Sequence, residues 1–95
     1  MFNEKVLNRV KEGINVINVS RGALIDENFI ETLIKKELLG GIGLDVFEIE
    51  PPSLDSLMFS FPNSVFGSHN GSNTQEAVIK ASELSIKYMS QFLNE

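Results

Sequence analysis

The hydrophobic positions fall into short blocks whose spacing alternates between helical and extended. Val6, Leu7 and Val10 follow Asn3 at helical spacing, so a short helix capped by Asn3 and ended by Gly13 is predicted. Ile14-Asn15-Val16-Ile17-Asn18-Val19-Ser20 is rich in β-branched residues and reads as a strand of a parallel sheet buried on both faces, although its two Asn residues weaken it. Arg21-Gly22 breaks that run. Asp26 then caps a helix that carries Phe29, Ile30, Leu33, Ile34 and Leu38 on one face and ends at Gly40-Gly41. Lys35 and Lys36 near its end suit the helix dipole. Ile42-Gly43-Leu44-Asp45-Val46-Phe47 reads as a second strand, and Pro51-Pro52 forces an extended or turning segment. Ser53 to Asn63 is a loop with one marginal helical turn. Ser64-Val65-Phe66-Gly67 is a third short strand leading to Ser68-His69. Asn73 and Glu76 have the spacing of a capping box, so a long helix should start there and run through Ala77, Ala81, Leu84, Tyr88 and Phe92.

Helix, strand, helix, strand, loop, strand, helix is the order of an α/β fold with a largely parallel sheet flanked by helices. Ligands of such sheets gather at the carboxyl ends of the strands. Arg21, the Asp45–Glu50 segment and His69 each lie at or just past a strand end. Their convergence is a functional signal that spacing alone supplies.

Composition narrows the possibilities. The chain has 95 residues, 42% of them hydrophobic and 22% charged, which suits one small folded domain or a piece of a larger one. A domain of this size hides only about 60–65% of its unfolded surface. The net charge of -5 argues against a nucleic-acid partner. It leaves small anions open, because one Arg in a cleft binds a carboxylate against an overall negative field. With no Cys and a single His, neither disulfides nor thiolate or His-rich metal sites are expected. No apolar run approaches the roughly 18 residues that span a bilayer, and the first residues do not resemble a signal peptide, so a cytoplasmic location without membrane contact is expected.

His69 is the one side chain whose ordinary titration range suits proton transfer near neutral pH. Glu50 is the candidate carboxylate to pair with it, favour the imidazolium and fix its tautomer. Arg21 could hold a substrate carboxylate through two hydrogen bonds, which Lys cannot copy. Acid, acid-orienting carboxylate and anion clamp together suit reduction of a 2-oxo acid, with the hydride borrowed from a cofactor. Plainer readings stand beside this one. His69 also reads as an ordinary loop histidine, Arg21 as a solvated turn residue, Glu48 as acidic surface and Asp26 as a helix cap. The apolar side chains of the last helix read as core or interface.

Three segments carry a resemblance to the D-isomer-specific 2-hydroxyacid dehydrogenases. Ile17-Asn18-Val19-Ser20-Arg21-Gly22-Ala23-Leu24-Ile25-Asp26 resembles the family's N-x-S/A-R-G-x-x-[IV]-D segment. Gly41-Ile42-Gly43-Leu44-Asp45-Val46-Phe47-Glu48-Ile49-Glu50-Pro51 resembles G-A-x-L-D-V-F-x-x-E-P. Asn63 to His69, followed by Ser72-Asn73-Thr74-Gln75-Glu76-Ala77, resembles N-V-x-x-T-P-H-x-x-x-x-T-x-E-A. All three stand in the family order and spacing. The resemblance implies a partial Rossmann-type domain in which Arg21 binds substrate and polarises its carbonyl, His69 is the acid/base and Glu50 is its partner. It further implies that Val19, Ser20, Arg21, Asp45, His69 and Gly71 lie at the cofactor, NAD with NADP left open. Asp45 would lie by the nicotinamide and hydrogen-bond to it. Thr74-Gln75-Glu76-Ala77 is similar to the phosphoglycerate dehydrogenase version of its segment, which tilts the substrate toward that branch of small 2-hydroxy and 2-oxo acids.

Some positions depart from the family pattern. Gly67-Ser68 stands where the family has Thr-Pro, Asn70 follows the His in place of an apolar residue, and Glu37 stands where a helix-ending Gly is common. No G-x-G-x-x-G occurs in the chain. Residues 1–95 are therefore expected to be the C-terminal part of a nucleotide domain, without the fingerprint half and the substrate domain, and inactive alone. A non-catalytic remnant acting as a binding or self-association module, most simply a two-fold dimer, is the alternative. A degenerate α/β domain is the third reading, and the survival of Arg21, Glu50 and His69 weighs against it.

Overall fold

The computed structural model describes residues 1–94. Three parallel strands, β1 (Ile14–Asn18), β2 (Leu39–Leu44) and β3 (Ser64–Phe66), lie side by side in that order. Helix α1 (Glu27–Lys35) connects the first two strands and helix α2 (Gln75–Leu93) follows the third. Short 3-10 turns occupy Glu4–Arg9, Gly22–Leu24 and Leu57–Ser60. The expected α/β architecture and element order are therefore present.

The core sits on one face of the sheet. Asp26 caps α1 by accepting the amides of Asn28 and Phe29 at 3.0 and 3.4 Å. That start aims Phe29, Ile30 and Leu33 at the sheet, where they pack with Val16, Ile42 and Leu44 and with Met58 from the last 3-10 turn. Phe2 ties the N-terminal segment to this layer through its backbone bridge to Ile25 and its ring on Phe29.

The opposite face carries nothing among the described residues. Burial of β1 on both faces was expected from its composition, yet Asn15 and Ile17 are exposed while Val16 and Asn18 are buried. β1 alternates as a strand does when only one of its faces is covered. No residue of α2 is buried, and no helix among the described residues is long and apolar enough to cross a membrane.

Helix α1 ends earlier than its apolar spacing predicts. Glu37 adopts a left-handed conformation (φ 56°) and donates its amide to the Ile34 carbonyl, while Leu38 donates to the Leu33 carbonyl at 2.9 Å. This pair of bonds is a Schellman closure with Glu37 in the seat that glycine usually takes. Gly40 and Gly41, read from sequence as the helix stop, instead lie inside β2. Their missing side chains serve close approach: a Cβ at Gly40 would collide with the Gly13 backbone, and one at Gly41 would meet the Asn15 side chain at 2.7 Å. The second strand accordingly begins at Leu39 and ends at Leu44, before Asp45–Phe47.

A left-handed residue with a Cβ costs roughly 1–2 kcal/mol. Glu37→Gly removes that strain and keeps the closure, at the cost of a more flexible unfolded chain. Its expected effect is a gain of about 0.5–1 kcal/mol, read as a higher urea midpoint at unchanged slope.

The last helix also starts one residue later than predicted. Thr74, not Asn73, is the cap, and its hydroxyl accepts the Ala77 amide at 3.1 Å. Glu76 thus falls one position short of the place that a capping box requires.

Candidate active site

All three parallel strands end at the same edge of the sheet, and the candidate residues lie there. β1 leads into Ser20-Arg21, β2 into Asp45–Glu50, and β3 into Gly67–Gly71.

The loop after β2 brings Glu50 back toward its own start. The Phe47 amide donates to Glu50 Oε1 at 3.1 Å, which leaves Oε2 facing the loop after β3. His69 Nδ1 lies 3.0 Å from that oxygen. The bonds from His69 and from the Phe47 amide hold the Glu50 carboxyl below its ordinary range. An ionised carboxylate only accepts, so Nδ1 carries the proton and Nε2 is the ring nitrogen left to exchange one with a ligand. His69 is 50% exposed and Glu50 39%, so the pair is open to an incoming molecule.

Asp45 builds the turn that presents the histidine. Its carbonyl accepts the His69 amide at 2.8 Å. Its carboxylate accepts the Asn70 amide at 3.1 Å and the Gly71 amide at 2.7 Å. These amides stabilise the charged form and lower the Asp45 carboxyl from its ordinary range. His69 itself is left-handed (φ 61°), a conformation these three bonds support. Gly67 fits the same arrangement, because a Cβ there would land on Asp45 Oδ1. The departure from Thr-Pro thus coincides with a position where the Asp45 carboxylate takes the space of a side chain.

Arg21 stands at the same edge, one strand over. Its guanidinium donates to the Ser20 carbonyl at 2.7 Å and is paired with neither Glu50 nor His69 among the described residues. Its turn nevertheless abuts the Glu50 loop, since a Cβ at Gly22 would collide with the Phe47 carbonyl.

Asn18 organises that turn, and reading the sequence missed it. The residue is only 6% exposed. Its Nδ2 donates to the Arg21 carbonyl at 2.8 Å, and its Oδ1 accepts from the Ser20 amide and hydroxyl at 3.1 and 3.0 Å. In the sequence it counted against the strand. The available signal was an Asn at a strand end two residues before a Ser, the pattern of a side-chain-closed turn.

Two concavities meet at Asp45, Phe66 and Gly67. One, of about 360 Å³, is lined by Glu50, His69, Pro52, Leu54 and Phe59. The other, of about 520 Å³, runs along the open sheet face and includes Val19, Asp45 and Gly71. Ser20 lines neither; its side chain is taken up by Asn18. Gly67 and Gly71 line the second concavity as well, and the Asp45 carboxylate lies against both of them.

Residues 1–71 match the family described as the D-isomer specific 2-hydroxyacid dehydrogenase, NAD binding domain. The chain is 39% identical over 92 residues to the glyoxylate reductase of Thermococcus litoralis, covering 97% of this chain and 28% of that protein. It is 36% identical over 77 residues to the chloroplastic D-3-phosphoglycerate dehydrogenase 2 of Arabidopsis thaliana, covering 81% of this chain and 12% of that protein. Among solved structures, a glyoxylate reductase from Paecilomyes thermophila superposes with a TM-score of 0.80 at 30% identity, covering 95% of this chain and 27% of that one. The chain thus spans only 12% to 28% of the length of these proteins.

Proposed function

Because the chain belongs to the D-isomer-specific 2-hydroxyacid dehydrogenases, in their NAD-binding domain, we propose that it supplies the catalytic edge of an oxidoreductase interconverting D-2-hydroxy acids and 2-oxo acids. The observation that carries the reading is the 3.0 Å pairing of His69 Nδ1 with Glu50 at the carboxyl edge of a parallel sheet. Glu50 fixes the tautomer, so that His69 Nε2 gives a proton to the substrate oxygen in reduction and takes it back in oxidation. Arg21 binds the substrate carboxylate in a two-pronged contact, swinging from its present bond to the Ser20 carbonyl. Val19, Ser20, Asp45 and Gly71 form the nicotinamide end of the cofactor site, with Ser20 acting through its backbone. The dinucleotide, NAD or NADP, supplies the hydride when bound. The substrate is a small 2-hydroxy or 2-oxo acid, with a lean toward the phosphoglycerate branch. Soluble cofactor and substrate suit a cytoplasmic setting, which is part of the same proposal.

Much of dinucleotide affinity in this fold comes from the pyrophosphate lying on a glycine-rich helix N-terminus. Residues 1–95 contain no such segment. They act, in this reading, with a portion that carries the fingerprint, in the same polypeptide or another. Calorimetry on the chain alone is expected to show NAD binding weaker than micromolar. Adding the part of the Thermococcus litoralis glyoxylate reductase that lies outside the matched region is expected to restore it. Micromolar binding by the chain alone would overturn the division of labour. So would a mixture that binds no better than the added portion by itself.

A second reading has its own observation. No residue of α2 is buried and one face of the sheet is open. Apolar surface left in water costs roughly 25 cal/mol per Å². Self-association of the chain, as a homo-oligomer, is therefore proposed alongside the catalytic role.

A further inference from the structure

Two glutamates beside the site fasten the loop that carries Glu50. Glu27 is the first residue of α1, and its Oε2 accepts the Glu48 amide at 2.9 Å. Glu48 returns the bond, its Oε1 accepting the Glu27 amide at 2.9 Å. That amide is one of those a helix start leaves without a partner inside the helix. Each glutamate thus closes on the backbone of the other. Glu48, which reads from sequence as acidic surface, is one half of this clasp.

The clasp lies next to the bonds that aim the His69–Glu50 pair. Glu27 holds the Glu48 amide, and the preceding amide, that of Phe47, donates to Glu50 Oε1 at 3.1 Å. Glu50 Oε2 is then the oxygen that meets His69 Nδ1. The Arg21 turn presses on the same peptide. A Cβ at Gly22 would collide with the Phe47 carbonyl and lie 2.6 Å from the Glu48 nitrogen. The Phe47–Glu48 peptide therefore joins the turn that bears Arg21, the start of α1 and the loop that bears Glu50. Its displacement moves Glu50 relative to both His69 and Arg21.

A carboxylate in this place is not favoured by stability. Burial raises the Glu27 carboxyl above its ordinary range against the bond from the Glu48 amide, and the charges of Glu48, Asp26 and Glu31 add to the rise. A carboxyl raised in this way favours folding only while protonated, so ionised Glu27 works against stability at neutral pH. Glu27→Gln keeps an oxygen for the Glu48 amide and removes that repulsion.

We propose that Glu27 and Glu48 are positioning residues for the acid/base, setting through the Phe47–Glu48 peptide the bond between Glu50 and His69. The proposal rests on the reading of His69 and Glu50 as a pair. Glu31, one turn further along α1, supplies the comparison. Its Oε1 accepts the Ser56 hydroxyl and the Leu57 amide at 2.9 and 3.0 Å, which fastens the same connection at its other end.

The test reads the tautomer of the neutral His69 ring by nitrogen NMR. His69 is the one histidine of the chain, so its ring signals are unambiguous. In the wild type the proton is expected on Nδ1. Glu50→Ala is expected to lower the ratio of Nδ1–H to Nε2–H about tenfold, the size of one hydrogen bond to a charged group. Glu27→Ala is expected to lower it about threefold or more, through a bond weakened and not removed. Glu27→Gln should restore the wild-type ratio, and Glu31→Ala should leave it unchanged even where the urea midpoint falls. Glu48→Ala, at an exposed side chain, lowers the ratio from the other arm and serves should Glu27→Ala fail to fold. A ratio that Glu50→Ala does not move overturns the pairing itself and the proposal with it. A ratio that Glu50→Ala lowers, but that neither clasp variant moves, overturns only the positioning role. An equal fall in Glu31→Ala overturns it as well, because general loosening of the loop would then suffice.

Discussion

Leu33→Ala is expected to leave the chain largely unfolded under conditions in which the wild type is folded. Leu33 has no exposed surface and lies where α1 meets β2 and the Leu57–Ser60 turn. Truncating such a leucine removes its transfer energy and leaves a cavity, together about 2–5 kcal/mol. Small domains hold only about 5–15 kcal/mol in total. This one has a single covered sheet face and a long helix without a buried residue, which puts it at the low end. Six of the ten residues of the core cluster lie outside the three strands, so few neighbours can collapse into the void. Ile86→Ala is the control: that side chain is 71% exposed, and its loss should change the stability of the monomer by less than about 0.5 kcal/mol. Urea unfolding of both variants at low protein concentration reads the contrast. Equal midpoints would mean that the core does not lie between α1 and β2.

Some of this fold was legible in the residues and some was not, for identifiable reasons. The β-branched run from Ile14 marks β1, though only one of its faces is covered, and the Phe29–Ile30–Leu33 spacing marks α1, because that pattern follows from burial on one side. The end of α1 was misplaced because the left-handed closing residue is Glu37 and not the glycine common at that place. Gly40 and Gly41 were misread for a related reason. Glycine serves both as a helix stop and as room for a neighbouring backbone, and here Gly13 and Asn15 press against them. Exposure of Ile17 and Val65 was beyond local reading, since a strand's composition does not say which of its faces finds a partner.

The site divides in the same way. Glu50 and His69 are 19 residues apart, and their common placement past strand ends, together with the register of three motifs, joined them. Asp45 was read as a cofactor residue, while its backbone and carboxylate bonds to residues 69–71 show a second task, holding the histidine turn. Asn18 escaped because a polar residue in a strand reads as noise until its partners, Ser20 and Arg21, are seen around it.

The pairing of His69 with Glu50 as the acid/base of hydride transfer is tested most directly by one rate. The chain is combined with the part of the Thermococcus litoralis glyoxylate reductase that lies outside the region it matches, and oxidation of NADH by a small 2-oxo acid is followed. His69→Gln keeps a hydrogen-bonding side chain of similar reach but cannot deliver a proton. General acid catalysis of this kind contributes about 10²–10⁴-fold, so the variant is expected to lose that factor in kcat. NADH affinity should change far less than kcat, because of the cofactor contacts only that of His69 is altered while those assigned to Val19, Ser20, Arg21, Asp45 and Gly71 remain. A wild-type assembly that binds NADH and turns over, yet is indifferent to His69→Gln, would contradict the assignment, as would one that binds NADH and reduces no 2-oxo acid.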